Sequence, residues 1–296
     1  MTILETHIVP KGTEEIRLYD YAAQIFPNLP SRKAIKKAIA RAEILVDGKT
    51  SSTGHWVKDG QEIQLLESDV NPPKAYDLVL ELVYEDDYLA VINKPAGIPV
   101  SGNQYRTIQN ALIDNIQLST QKDALRWVKP VHRLDSPTSG LLIIAKTAKA
   151  LVKLGQLFEQ KLIHKKYQAI VIGLPHQKGI IDTDIEGLPS QTAYEVLETV
   201  KSLKNEQLSL LELSPKTGRT HQIRIHLSKM GFPIMGDQLY SKDGEVFMGK
   251  GLFLCAMELQ FKHPITNENL VIKNKLPHKF KSLLDREQRR WEKYNK

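Results

Sequence analysis

The six residues Gly140-Leu-Leu-Ile-Ile-Ala145 contain no polar side chain. An unbroken apolar run of that length fits a buried strand, so the chain is expected to build around a sheet whose middle is shielded from water. Further strand candidates, rich in Val, Ile, Tyr and Leu, cover residues 78–84, 88–93, 164–173, 192–200, 207–213 and 252–261. One helix is expected over residues 107–116. Another starts at Thr147 and carries Leu151, Leu154, Phe158 and Leu162 at spacings of three and four. Strands outnumber helices and hairpin-like pairs recur, which predicts an α+β domain around a mostly antiparallel or mixed sheet.

The 296 residues, 41% of them hydrophobic, suffice for one large domain and one small one. The small one is read at residues 1–75. In it Ser31 caps a helix running to Arg41, with Ile35, Ile39 and Ala42 as its apolar stripe and Lys33, Lys37 and Arg41 on another face. Ile44-Leu45-Val46 and the turn pair Asp47-Gly48 then open a hairpin, and a further turn and strand at residues 57–63 close the unit. This pattern resembles the S4-type RNA-binding domain, which holds RNA with a basic helix and a hairpin ending in a Val-Asn-Gly-Lys-like turn. Here the turn reads Val46-Asp47-Gly48-Lys49, which sets a carboxylate near the implied RNA face. Residues 68–75, with Asn71-Pro72-Pro73, read as a linker to a large domain at 76–296.

A formal charge of +7 favours polyanionic partners, nucleic acid first, although charge alone is also compatible with a basic protein that binds none. The single cysteine, Cys255, excludes an internal disulfide and reads as a buried structural thiol. No uninterrupted apolar run reaches membrane-spanning length, so a soluble, cytoplasmic protein is expected. No His-Glu-x-x-His pattern occurs, and His221 and His226 lie five apart, so no metal site is expected. Gly48-Lys49-Thr50 lacks the upstream glycine of a phosphate-binding loop, so no nucleotide cofactor is expected.

The chemistry concentrates around His132-Arg133-Leu134-Asp135-Ser136-Pro137-Thr138-Ser139-Gly140, which sets an aspartate in a turn just before the apolar run. By itself Asp135 is as readily a turn-opening residue as a reactive one. The complete string resembles the His-Arg-Leu-Asp-x-x-Thr-Ser-Gly signature of the RluA-type pseudouridine synthases. Three more segments resemble family elements in the expected order: Lys94-Pro95-Ala96-Gly97 with Val100, Lys165-Lys166-Tyr167-Gln168-Ala169, and Thr217 to Leu227 continuing through Gly236, Asp237 and Tyr240. With the S4-like region the resemblance covers almost the whole chain.

The resemblance implies the pseudouridine synthase fold, an RNA substrate, and isomerisation of uridine to pseudouridine without a cofactor. It implies Asp135 as the nucleophile or the base that starts glycosidic cleavage, and Tyr167 as the residue that stacks on uracil and assists loss of the C5 proton. Attack requires an ionised Asp135, and Arg224 is the expected charge partner. A helix over residues 220–230 puts Ile223, Leu227 and Met230 on one face and His221, Arg224 and Ser228 on another, so Arg224 leaves the core side toward Asp135. A uridine stacked in RNA has to be flipped out. Arg133, His132, Arg219 and His221 are expected to hold phosphate or fill the vacated space, with Lys94 and Lys146 as weaker candidates and Lys33, Lys37 and Arg41 as contacts in the small domain.

Two other readings stand beside this one. A non-catalytic RNA-binding or ribosome-assembly protein keeping the fold needs no carboxylate facing phosphates, and a carboxylate-pair glycoside hydrolase needs a second acid that no motif supplies. Ser136-Pro137, and Asn103-Gln104 after Val100, depart from the family pattern at the implied RNA surface.

Overall fold

The computed structural model describes residues 2–27, 29, 31–67, 74–241 and 249–295. Most of the expected linker, residues 68–73, lies outside them.

The N-terminal residues form a sheet of their own. Strands β1 (Ile3–Ile8), β2 (Ile44–Val46), β3 (Lys49–Thr50) and β4 (Glu62–Leu66) pair antiparallel in the order β1-β4-β2-β3. Helices α1 (Leu18–Ile25) and α2 (Arg32–Ala40) close a separate core that contains Leu18, Phe26, Ile35, Ile44 and Ile63. The Ser31 hydroxyl caps α2 by accepting from Ala34 N at 3.2 Å. Asp47 and Gly48 both sit at positive φ, 51° and 70°, as a two-residue hairpin turn demands. The Asp47 carboxylate accepts from Glu62 N at 2.9 Å and Gln61 Nε2 at 3.2 Å, so it ties the turn to β4. β1 and α1 were not foreseen. Three apolar residues of β1, Ile3, Leu4 and Ile8, stay exposed, so no buried face shows in its sequence.

The rest of the chain builds a ten-stranded mixed sheet. In chain order its elements are β5 (Glu81–Glu85), β6 (Leu89–Lys94), α3 (Ile108–Asn115), β7 (Ala124–Pro130), β8 (Ser139–Thr147), α4 (Ala148–Glu159) and β9 (His164–Ile172). There follow β10 (Lys178–Asp182), β11 (Gln191–Ser202), β12 (Glu206–Pro215), α5 (Gln222–Lys229), β13 (Leu254–Lys262), β14 (Asn269–Lys273) and α6 (His278–Tyr294). The main path is β10-β11-β12-β9-β13-β8-β6-β5, with β14 on β13 and β7 on β8. β8 holds the apolar run, and its alternating side chains explain the lack of a polar face. Leu142 and Ile144 pack with Ile108 and Leu112 of α3, while Leu141, Ile143 and Ala145 pack with Ala150 and Leu154 of α4. At 17 residues α6 is the longest helix described, yet it buries only Phe280, Leu283, Leu284 and Glu287, a stripe too narrow to stand out in a charged segment.

One strand pairing positions the site. β13 runs parallel to β8 with Ala256 opposite Gly140, and antiparallel to β9 with Ala256 opposite Tyr167. The start of β8, just after Asp135, is therefore one strand away from Tyr167. Gly140 sits at φ +112°, and a Cβ there would overlap the Ala256 backbone. Gly140→Ala is expected to lower stability in urea by more than about 3 kcal/mol. Gly155→Ala, in α4 with nothing within 4 Å of the added carbon, is expected to raise it by about 0.5–1 kcal/mol.

Candidate active site

The loop that carries Asp135 is fixed from beneath. Leu134 anchors it in the core shared with α3. Thr138 N donates to Asp135 O at 3.0 Å and closes the turn, while Gly97 N, at φ +92°, donates to Ser136 O at 2.7 Å. The Lys94 ammonium donates to Pro95 O at 2.8 Å, Ser136 O at 3.1 Å and Thr138 O at 2.8 Å. Lys94 is 0% exposed, which corrects its expected role as a phosphate contact: its charge is spent inside, holding the Asp135 loop. Burial pushes its pKa down to about 8, against the opposing pull of Asp135. Lys146 is likewise buried and bound to Glu85 Oε1 and Asp86 O, both at 2.7 Å.

His132 also departs from expectation. Its Nε2 accepts from Ile143 N at 3.0 Å and its ring lies against Phe158 at 4.7 Å. Burial and then the Lys165 charge push its pKa down to about 3, so the ring is neutral and offers phosphate no cation.

Arg224 comes from the first turn of α5. His221 adopts the left-handed conformation, φ 55°, just before the helix, and the Gln222 side chain accepts from Thr217 Oγ1 at 2.6 Å and Arg219 N at 3.1 Å. The helix thus begins at Gln222 rather than Thr220. Arg224 is only 3% exposed, so its strand-facing side is part of the core. Its Nε and Nη2 donate to the two oxygens of Asp237, each at 2.8 Å, and its Nη1 lies 3.6 Å from Asp135 Oδ2. Arg224 thus reaches Asp135 as expected, but its principal partner is Asp237.

Asp237 Oδ1 also accepts from Leu239 N at 3.0 Å and Tyr240 N at 3.2 Å. Burial alone would raise its pKa; the Arg224 and backbone hydrogen bonds outweigh burial and hold it below the usual carboxylate range. Burial opposes the Arg224 charge too, and the Asp237 bonds outweigh it and hold the guanidinium above its ordinary value. His221 completes the ring of contacts: Nε2 stands 3.7 Å from Asp135 Oδ1, and Nδ1 shares a 2.9 Å hydrogen bond with the Tyr240 hydroxyl. The Tyr240 ring packs under the Arg224 guanidinium at 5.1 Å.

Two cavities meet at Asp135. One of about 270 Å³ is lined by Asp135, Thr138, Lys165, Tyr167, Arg219 and Arg224. The other, about 600 Å³, lies on the far side of Asp135 against Pro99, Val100, Gln238 and Leu239. Burial, with added contributions from Asp135 and Cys255, pushes the Tyr167 phenol well above its ordinary pKa, so it stays a neutral hydroxyl. Of the expected RNA contacts, Arg133 and Arg219 are exposed beside the small cavity. Lys33 and Lys37 are exposed on α2 and Arg41 just past its end, where it also holds Glu43 through two 2.7 Å bonds. Burial, and after it the charges of Lys37 and Arg41, lower the pKa of Lys129 on β7. Asp237, Tyr240 and Lys165 were not assigned roles from sequence. Each lies in a quoted motif segment, but only the fold brings them to Asp135.

The family model for RNA pseudouridylate synthase matches residues 88–229. The ribosomal large subunit pseudouridine synthase D of Nitrosomonas europaea is 31% identical over 93% of this chain and 86% of its own length. Ribosomal large subunit pseudouridine synthase C of Rickettsia bellii is 33% identical over 89% of this chain and 95% of its own. The solved structure of human RNA pseudouridylate synthase domain containing 4 superposes with a TM-score of 0.58 at 27% identity, covering 70% of this chain and 92% of that one. The chain belongs to the RNA pseudouridylate synthase family, in its RluA-type branch, and is an RNA pseudouridine synthase.

Asp237→Asn replaces one of the two oxygens that hold the buried Arg224 guanidinium by an amide N–H donor and removes the countercharge, and is expected to cost about 3–5 kcal/mol, read from urea unfolding. Lys94 supplies a pH signature. Its folded pKa is depressed below the unfolded value, so between about pH 8 and pH 10.5 the unfolded chain binds more protons and stability rises with pH as the burial penalty lifts. The difference in urea midpoint between the wild type and Lys94→Met is expected to grow in the wild type's favour across that window.

Proposed function

We propose that this enzyme converts uridines of ribosomal RNA to pseudouridine in the cytoplasm, with Asp135 as the reacting carboxylate in the small cavity. The observation that carries the reading is the placement of Asp135: it faces Arg224 at 3.6 Å and shares the small cavity with Tyr167. Ribosomal RNA is favoured by the names of the two bacterial relatives. Asp135 and Tyr167 line a recessed cavity of about 270 Å³ that a base still stacked in a helix does not reach. The uridine therefore has to leave its helix to enter.

Inside, the bond from C1′ to N1 breaks, the base turns, C5 joins C1′, and the C5 proton is exchanged for one on N1. Atoms and electrons balance without an added cofactor. Asp135 starts the sequence by attack at C1′ or by taking the 2′ hydrogen, and Arg224 at 3.6 Å aims it. Tyr167 stacks on the base, and its neutral hydroxyl takes part in C5 proton loss only as a relay. Arg133, Arg219 and His221 hold phosphate at the rim, and the small domain at residues 1–75, S4-like in pattern, anchors RNA through Lys33, Lys37 and Arg41.

A binding protein without activity has no use for a buried Arg224–Asp237 pair directed at a third carboxylate, so that alternative is not favoured. Asp135→Asn is expected to keep RNA affinity and to abolish tritium release from C5-labelled uridine RNA. Release that persists in this variant overturns the assignment.

A further inference from the structure

A third cavity opens off the small one. About 880 Å³ in size, it runs past the end of α4 and along β9 and β12, and shares Phe158, Lys165, Thr217, Gly218 and Arg219 with the uridine cavity. Five cationic side chains line it, Lys161, Lys165, Lys166, Lys216 and Arg219, against two carboxylates, Glu159 and Glu258. It is an open, positively charged groove that begins where the proposed uridine site ends.

Lys165 stands at the neck between the two. On β9 it shares a face with Tyr167, two residues on. Its neighbour Lys166 also lines the groove but is already paired with Glu212 at 2.9 Å. Lys165 is half-buried, and among the described residues no carboxylate or carbonyl accepts from its ammonium. The Phe158 ring centroid lies 5.9 Å from Nζ, and a Cβ built on Gly218 would stand 3.9 Å from it. Glycine at 218 leaves that side of the ammonium open. A partly desolvated cation with no acceptor of its own is stabilised by an anion supplied from outside. Burial lowers its pKa in the same sense.

We propose that the groove carries the single strand of RNA leading away from the flipped uridine, and that Lys165 binds the first phosphate of that strand. The proposal rests on the small cavity being the uridine site. Continuity between the two cavities fixes the order of the chain: base against Tyr167, ribose at Asp135, phosphate at Lys165, and the following nucleotides along Lys161 and Lys216.

The test is a salt titration of binding to a fluorescein-labelled oligouridylate, read by anisotropy. Removing one cation that neutralises a phosphate of a single strand reduces the slope of log affinity against log salt by about 0.7. Lys165→Met is expected to reduce it by about 0.7, and the double variant Lys161→Gln with Lys216→Gln by about 1.4. Lys165→Arg, which keeps the charge, and Lys281→Gln on the exposed side of α6 are expected to leave it unchanged. Wild-type slopes in both Lys165→Met and the double variant overturn the proposal. Tritium release by the wild type separates the two claims: an inert wild type sinks the isomerase reading, while active enzyme with unchanged slopes sinks the strand path alone.

Discussion

A buried guanidinium shared between two carboxylates organises this molecule. Taking the Arg224 charge out of water costs several kcal/mol unless its donors are met in good geometry. Asp237 meets two of them at 2.8 Å and is itself tied to two backbone N–H groups. The remaining edge, Nη1, is left to Asp135 at 3.6 Å, a longer and partly solvated approach. One carboxylate is consumed in holding the arginine, and the other is only steered by it. Asp135 therefore keeps both oxygens more than 3.5 Å from Arg224 and His221 while its orientation is imposed from a rigid base.

The sheet makes that division possible. β13 reaches β8 through a short parallel pairing and β9 through an antiparallel one, so Ala256 stands between Gly140 and Tyr167. A side chain at position 140 would push β8 away from β13 and carry the Asp135 turn with it. From below, the Lys94 ammonium binds three carbonyls of the neighbouring loops, so the strand end and the turn behave as one body. Three sequence segments far apart in the chain thus converge on one carboxylate through backbone pairing, with side-chain chemistry added last.

Much of this could be read from the residues. The apolar run at Gly140–Ala145, the cap at Ser31, the helices expected from Thr107 and Thr147, and the hairpin at Asp47-Gly48 are local signals, and each forms where its pattern put it. The Arg224–Asp135 approach, found at 3.6 Å, follows the family resemblance of the segment from Thr217, with which the helical spacing that sets Arg224 apart from Ile223 and Leu227 agrees. Lys94 and His132 were misread because sequence shows a charge and not its burial: one lysine inside three carbonyls looks identical to one facing phosphate. Asp237 was hidden for the converse reason, since a 13-residue separation from Arg224 follows no helical or strand period. α6 escaped notice because only four of its 17 residues are buried.

The central claim is that Asp135, aimed by the Arg224–Asp237 pair, meets the ribose of a uridine held against Tyr167 in the small cavity. The most direct measurement is a structure of the enzyme bound to RNA with 5-fluorouridine at the modified position, where fluorine replaces the C5 hydrogen whose loss completes the reaction. The account predicts the base stacked on Tyr167, an Asp135 oxygen within about 3.5 Å of C1′ or C2′, and Arg224 still bidentate on Asp237. A nucleotide seated instead in the larger cavity beside Leu239, or an Asp135 turned away from the ribose, would contradict it.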